Sequence, residues 1–133
     1  MIGYELPAAK RNQLANTQNK YQGSAVKALC VCSAGLLRSP SIAKVLTECG
    51  YNTRACGTAQ DYALIPVSEA LLYWADEIYV VAEESVIIRA LLKEHLLEDV
   101  PVVELDIPDE YGTFDPALMD IIKEQVRAYW DEA

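Results

Sequence analysis

No apolar run in this chain approaches the roughly 18 residues needed to cross a bilayer, and the polar amino-terminal stretch lacks the apolar core of a signal peptide. The cytoplasm is therefore the expected location. Cations are scarce: 11 lysines and arginines stand against 20 aspartates and glutamates, a formal charge of -9. Such a balance disfavours non-specific binding to nucleic acid or to anionic membrane surfaces, so a phosphorylated partner must be attracted by a local arrangement. Histidine occurs once, at His95, within a predicted helix, where it reads as a solvated residue and offers no support for histidine-based catalysis. The four cysteines, Cys30, Cys32, Cys49 and Cys56, are too few and too irregularly placed for a secreted disulfide scaffold. Their spacings of one, sixteen and six intervening residues do not match paired zinc-ligand motifs either. Each thiol is left with a chemical or a packing role.

What is present is a chain of 133 residues, 52% hydrophobic, long enough for one buried core and short for two. Residues 1–24 are rich in Asn, Gln, Lys and Ala and show no sustained apolar period; they are read as an arm, with a polar helix around Gln13 to Lys20 as the alternative to a mobile terminus. Residues 25–133 are read as the functional domain. Val26, Ala28, Leu29, Cys30 and Val31 suit a strand buried in a parallel sheet. A loop follows, and then Ile42, Val45, Leu46 and Cys49 recur at helical spacing, with Ser39 as the expected N-cap, Pro40 at the first helical position and Gly50 past the end. Further strands are predicted near Thr53–Ala55, Ile78–Ala82 and Pro101–Leu105, and further helices near Ser68–Trp74, Ser85–Leu97 and after the cap at Asp115 and Pro116. Strands alternating with helices predict an α/β fold, a three-layer open sheet of four parallel strands flanked by helices. Ligands of such sheets bind beyond the carboxyl ends of the strands.

The first loop lies there. Cys32, Ser33, Ala34, Gly35, Leu36, Leu37, Arg38 and Ser39 place a cysteine and an arginine, with five residues between them, between a strand and a helix. A loop that opens a helix turns successive backbone N–H groups toward one point, where the helix dipole also favours an anion. Gly35 supplies the positive φ that such a nest needs. Curling around a phosphate, the loop returns Arg38 to the same centre as the Cys32 sulfur, and a guanidinium grips two phosphate oxygens bidentately. The same donors stabilise a thiolate, so Cys32 is expected to attack at neutral pH. Ser39 fits two roles, helix N-cap and hydroxyl donor to the departing thiolate. Protonating the leaving oxygen is worth about 10²- to 10⁴-fold, and Asp106-Ile107-Pro108-Asp109 follows the fourth predicted strand at the same sheet edge. Asp109, after Pro108 in a turn, is preferred to Asp106 as that acid.

Together, V-C-S-A-G-L-L-R-S-P-S-I-A, R-A-C-G-T-A, W-A-D-E-I-Y-V-V and L-D-I-P-D-E-Y resemble the low-molecular-weight protein tyrosine phosphatase family, from about Ala28 to the carboxyl terminus. The resemblance implies a four-stranded parallel sheet, a phosphate-binding first loop, a phosphocysteine intermediate, and no metal or other cofactor. It implies Asp109 as general acid, later the base that activates water, and Tyr111 as an aromatic wall of the substrate cleft, with Glu110 standing where the family has Pro. The partner it implies is a phosphorylated protein or a small phosphomonoester. Three departures stand out. Gly35 and Ala55 replace the family's bracing Asn and Ser; Leu37 replaces a second loop cysteine; and Leu36 with Leu37 makes the loop apolar, which suits an aryl phosphate or packing on the first helix alike. Tyr62 is a candidate second wall or, equally, a surface residue of its loop. The missing brace motivates a rival reading, a phosphate- or phosphopeptide-binding module without turnover. Arsenate reduction would need a cysteine relay, for which Cys49 and Cys56 are the only later residues, and both read as buried small residues, as does Cys30.

Overall fold

The computed structural model describes residues 25–35 and 37–132; the amino-terminal arm and Leu36 lie outside the described residues. The elements run β1 (Lys27–Cys32), α1 (Arg38–Glu48), β2 (Asn52–Gly57), α2 (Glu69–Trp74), β3 (Glu77–Val81), a 3-10 turn (Ala82–Glu84), α3 (Ser85–Glu94), β4 (Val102–Leu105) and α4 (Pro116–Glu132). The strands form one four-stranded sheet in the order β2-β1-β3-β4, with every pairing parallel.

Alternation along the strands divides the core in two. Ala28, Cys30, Cys32, Ala55, Tyr79, Val81, Val103 and Leu105 meet Ile42, Val45 and Leu46 of α1 and Leu118, Ile122 and Val126 of α4 on one face. Leu29, Val31, Cys56, Ile78 and Val80 meet Leu72 of α2 and Ile88 and Leu92 of α3 on the other. This period-two split is what a parallel sheet covered on both sides requires. The chain leaves β1 toward β2 through α1 and returns past β1 to β3 through α2, so the winding reverses beside β1. In open parallel sheets ligands bind beside such a reversal, beyond the carboxyl ends of the strands, and the loop from Cys32 begins at that edge.

Local chemistry sets the element ends. Ser68 caps α2 by accepting the Leu71 N–H at 3.3 Å, and Asp115 accepts the Ala117 N–H at 2.8 Å where α4 starts at Pro116. Gly50, at φ +96°, ends α1 while Tyr51 N–H returns to the Leu46 carbonyl at 3.0 Å. Two expectations change here. Cys49, expected on the buried stripe, is exposed because α1 stops at Glu48 and the chain already turns away at that position. His95, expected to be solvated, caps α3 half-buried, with Nδ1 3.2 Å from the Glu69 carboxylate and its ring edge-on to Tyr73. Among the described residues no helix is long and apolar enough to cross a membrane.

Candidate active site

Cys32 is the last residue of β1 and only 3% exposed, its side chain on the α1 face of the sheet. Gly35, at φ +73°, folds the chain back so that its N–H donates to the Cys32 sulfur at 3.2 Å. The thiol in turn donates to Ser39 Oγ at 3.2 Å; with a thiolate the hydroxyl becomes the donor. Ser39 is therefore not the N-cap expected for it. The helix begins one residue earlier, at Arg38, with Leu37 at the cap position and no side-chain cap bond, and Ser39 is fully buried with its hydroxyl on the sulfur. Among the described residues the first turn of α1 has no side-chain cap bond and no acidic residue, so no carboxylate of its own offsets the partial positive charge at its amino end.

The loop is held by other means than the Asn-Ser brace that Gly35 and Ala55 replace. Three backbone bonds join it to the segment after β2: Thr58 N–H to the Cys32 carbonyl at 2.9 Å, Ala59 N–H to that of Ser33 at 3.0 Å, and Leu64 N–H to that of Ala34 at 3.0 Å. Two glycines permit that contact. A Cβ on Gly57 would lie 2.4 Å from the Ser33 oxygen, and one on Gly35 would lie 3.1 Å from both the Cys56 carbonyl carbon and the Gly57 nitrogen. Main chain presses on main chain here, and Ala55 is a core residue of β2. The segment after β2 is anchored again by Thr58 Oγ1, which donates to Glu84 Oε1 at 2.6 Å. Gly57 was not singled out in the sequence; its position at the end of the second strand was the available signal.

Arg38 is 4% exposed and surrounded by oxygen. Its Nη1 donates to Glu83 Oε2 at 2.6 Å and to the Ile107 carbonyl at 3.1 Å, while its Nε lies 3.6 Å from Asp109 Oδ1. Both Nη1 hydrogens are thus used, and among the described residues Nε and Nη2 form no hydrogen bond, Asp109 facing Nε at the longer distance. Burial alone would raise the Glu83 carboxyl, but the hydrogen bond from Arg38, a backbone N–H and the Arg38 charge outweigh it and hold the group below its usual range. Sequence reasoning missed Glu83; the signal was a Glu-Glu pair directly after the third strand, at the same sheet edge as the loop.

Of the two candidate acids, only Asp109 is in an ion pair with Arg38. Asp106 is exposed and set at the end of β4, where Gln125 Oε1 accepts its N–H and Gln125 Nε2 donates to its carbonyl, each at 2.7 Å. The segment carrying Asp109 is tied to α1 farther on: Phe114 N–H donates to Ser41 Oγ at 3.0 Å, and that hydroxyl donates to the Leu37 carbonyl at 3.0 Å. Tyr111 is half-buried against the core of the α1 face, whereas Leu37 and Tyr62 are exposed. Ser33 and Ala34 are half-buried in the loop, their carbonyls committed to the segment after β2. Cys30 and Cys56 are fully buried, and burial, reinforced by the neighbouring sulfurs, pushes both thiols up, so they remain neutral core groups.

The fold is similar to that in a crystal structure of a YwlE mutant from Bacillus subtilis, at 20% identity and a TM-score of 0.47, over 78% of this chain and 90% of that one. No family model matches the chain. No curated protein was found to match it.

Proposed function

We propose that this chain is a phosphomonoester hydrolase, a cysteine-dependent protein tyrosine phosphatase that works through a phosphocysteine intermediate. The observation that carries the reading is the convergence on one loop of a buried sulfur holding a backbone N–H and a serine hydroxyl, a buried arginine, and an aspartate 3.6 Å from that arginine. The resemblance to the low-molecular-weight phosphatases supports the same assignment residue by residue.

In this reading the loop N–H groups and the Nε–Nη2 edge of Arg38 bind the phosphate oxygens, Ser33 to Ser39 forming the cradle. The Cys32 sulfur attacks phosphorus; an S–P bond forms, the bond to the leaving oxygen breaks, and that oxygen takes the Asp109 proton. Asp109, now a carboxylate, accepts a proton from water, whose oxygen attacks phosphorus and breaks the S–P bond. The returning thiolate is received by the Gly35 N–H and the Ser39 hydroxyl. Tyr111 serves as a wall for an aryl group, and no metal or cofactor enters the scheme. A catalytic thiolate suits the reducing conditions of the cytoplasm.

The test is hydrolysis of 4-nitrophenyl phosphate and a phosphotyrosyl peptide by the purified protein, alongside Cys32→Ser, with acid quenching to trap enzyme-bound phosphate. Turnover lost in the variant and phosphate trapped on the wild type are the expected results. Binding of phosphate or vanadate without turnover between pH 5 and 8 would replace this reading with a binding module.

A further inference from the structure

Arg38 stands between two carboxylates that it does not hold equally. Glu83 Oε2 is 2.6 Å from Nη1, in a direct hydrogen bond, and Asp109 Oδ1 is 3.6 Å from Nε, an ion pair without one. A buried guanidinium needs a counter-charge, and whichever carboxylate supplies it closely is kept ionised. A general acid must do the opposite and carry its proton into the reaction.

We infer that Glu83 is a positioning residue that takes the charge of Arg38 at Nη1 and so keeps the guanidinium from closing on Asp109, leaving Asp109 free to be the proton donor. The inference rests on the reading of Asp109 as general acid. Glu83 can do this because it is delivered by a different element, the 3-10 turn after β3, while Asp109 comes from the loop after β4. The Ile107 carbonyl takes the second Nη1 hydrogen and directs the guanidinium plane. The neighbouring ionisable groups are otherwise placed: Glu84 accepts from Thr58, Asp106 has its backbone clasped by Gln125, Glu110 is exposed, Tyr111 packs on the core, and Cys32 is bonded within the loop. Without Glu83, the nearest remaining counter-charge for Arg38 is Asp109. The guanidinium would then take the proton donor as its partner, ionised and unable to donate.

The loss should therefore depend on how much help the leaving group needs. In Glu83→Ala, kcat for phenyl phosphate, a poor leaving group, should fall by about tenfold or more, a fraction of the full value of general acid catalysis. With 4-nitrophenyl phosphate it should fall by less than about threefold, since a good leaving group draws little on the acid. In an Asp109→Asn background, removing Glu83 should cost almost nothing further on either substrate, the non-additivity of two residues acting through one proton. Glu83→Gln, of the same shape but uncharged, should show the same split and serves if the alanine variant folds poorly. Equal losses on both substrates, or a full multiplicative loss in the Asp109→Asn background, would overturn the inference and leave Glu83 as structural. Absence of Cys32-dependent turnover in the wild type would instead remove the hydrolase reading, and this inference with it.

Discussion

Gly57 and Ser33 meet main chain to main chain: a Cβ placed on Gly57 would stand 2.4 Å from the Ser33 carbonyl oxygen, closer than any side chain allows. Gly57→Ala should therefore push the loop after β1 off β2 and break the bonds from Thr58, Ala59 and Leu64 that hold it. The expected cost in stability is about 1–3 kcal/mol, as for other insertions into packed regions. Binding of phosphate or vanadate should weaken along with the fall in melting temperature. Unchanged anion affinity and melting temperature would show that the loop does not depend on this contact.

Asp109 and Asp106 are separated by their partners, one in an ion pair with Arg38 and the other exposed at the end of β4 beside Gln125. Asp109→Asn should slow phenyl phosphate by about 10²-fold or more, the worth of a positioned acid, and 4-nitrophenyl phosphate much less. Asp106→Asn should leave the leaving-group dependence intact. The reverse pattern would move the acid to Asp106.

Ser39 Oγ, fully buried, accepts from the Cys32 thiol and would donate to the sulfur as a thiolate. Its removal takes a hydrogen bond from a charged leaving group, a loss of roughly 1.5–3 kcal/mol. Ser39→Ala should thus slow breakdown of phosphocysteine by about 10- to 100-fold, and rapid acid quenching should find more phosphate on the enzyme than in the wild type. Less trapped phosphate in the variant would place the role of Ser39 in forming the intermediate instead.

Glu104 joins β4 to α3: its Oε2 accepts from Ser85 Oγ at 2.5 Å and from Arg89 Nη2 at 3.0 Å. The Ser85 hydrogen bond first, and then Arg89, lower its carboxyl from the ordinary 4.5. A carboxyl depressed in the folded state binds fewer protons there than in the unfolded chain, so its contribution is complete above about 4.5 and fades as pH falls through the lower folded value. Urea titrations across that acid range should show a shallower decline of stability for Glu104→Gln than for the wild type. An unchanged slope would mean that the network adds nothing pH-dependent.

The legible part of this molecule was local. The alternation of short apolar runs with helical periods gave four strands in their observed places, because period-two and period-3.6 burial is written within a few residues. Gly50, Ser68, Asp115 and Pro116 mark element ends for the same reason, since a cap is decided by side chains one to four residues from the helix end. The Ser39 and Cys49 expectations failed at such ends, where a shift of one residue exchanges a cap for an interior position or a buried stripe for an exposed turn.

By itself the sequence determined the class of sheet, the five-residue interval between Cys32 and Arg38, and the presence of an Asp motif after the last strand, all properties of short segments. The tertiary structure decided which aspartate joins Arg38, that Glu83 takes the other side of the guanidinium, and that Gly57 lets backbone replace a side-chain brace. Those outcomes depend on residues about 20 to 70 positions apart meeting at one edge. Strand order and crossover fix such meetings, and no local period encodes them.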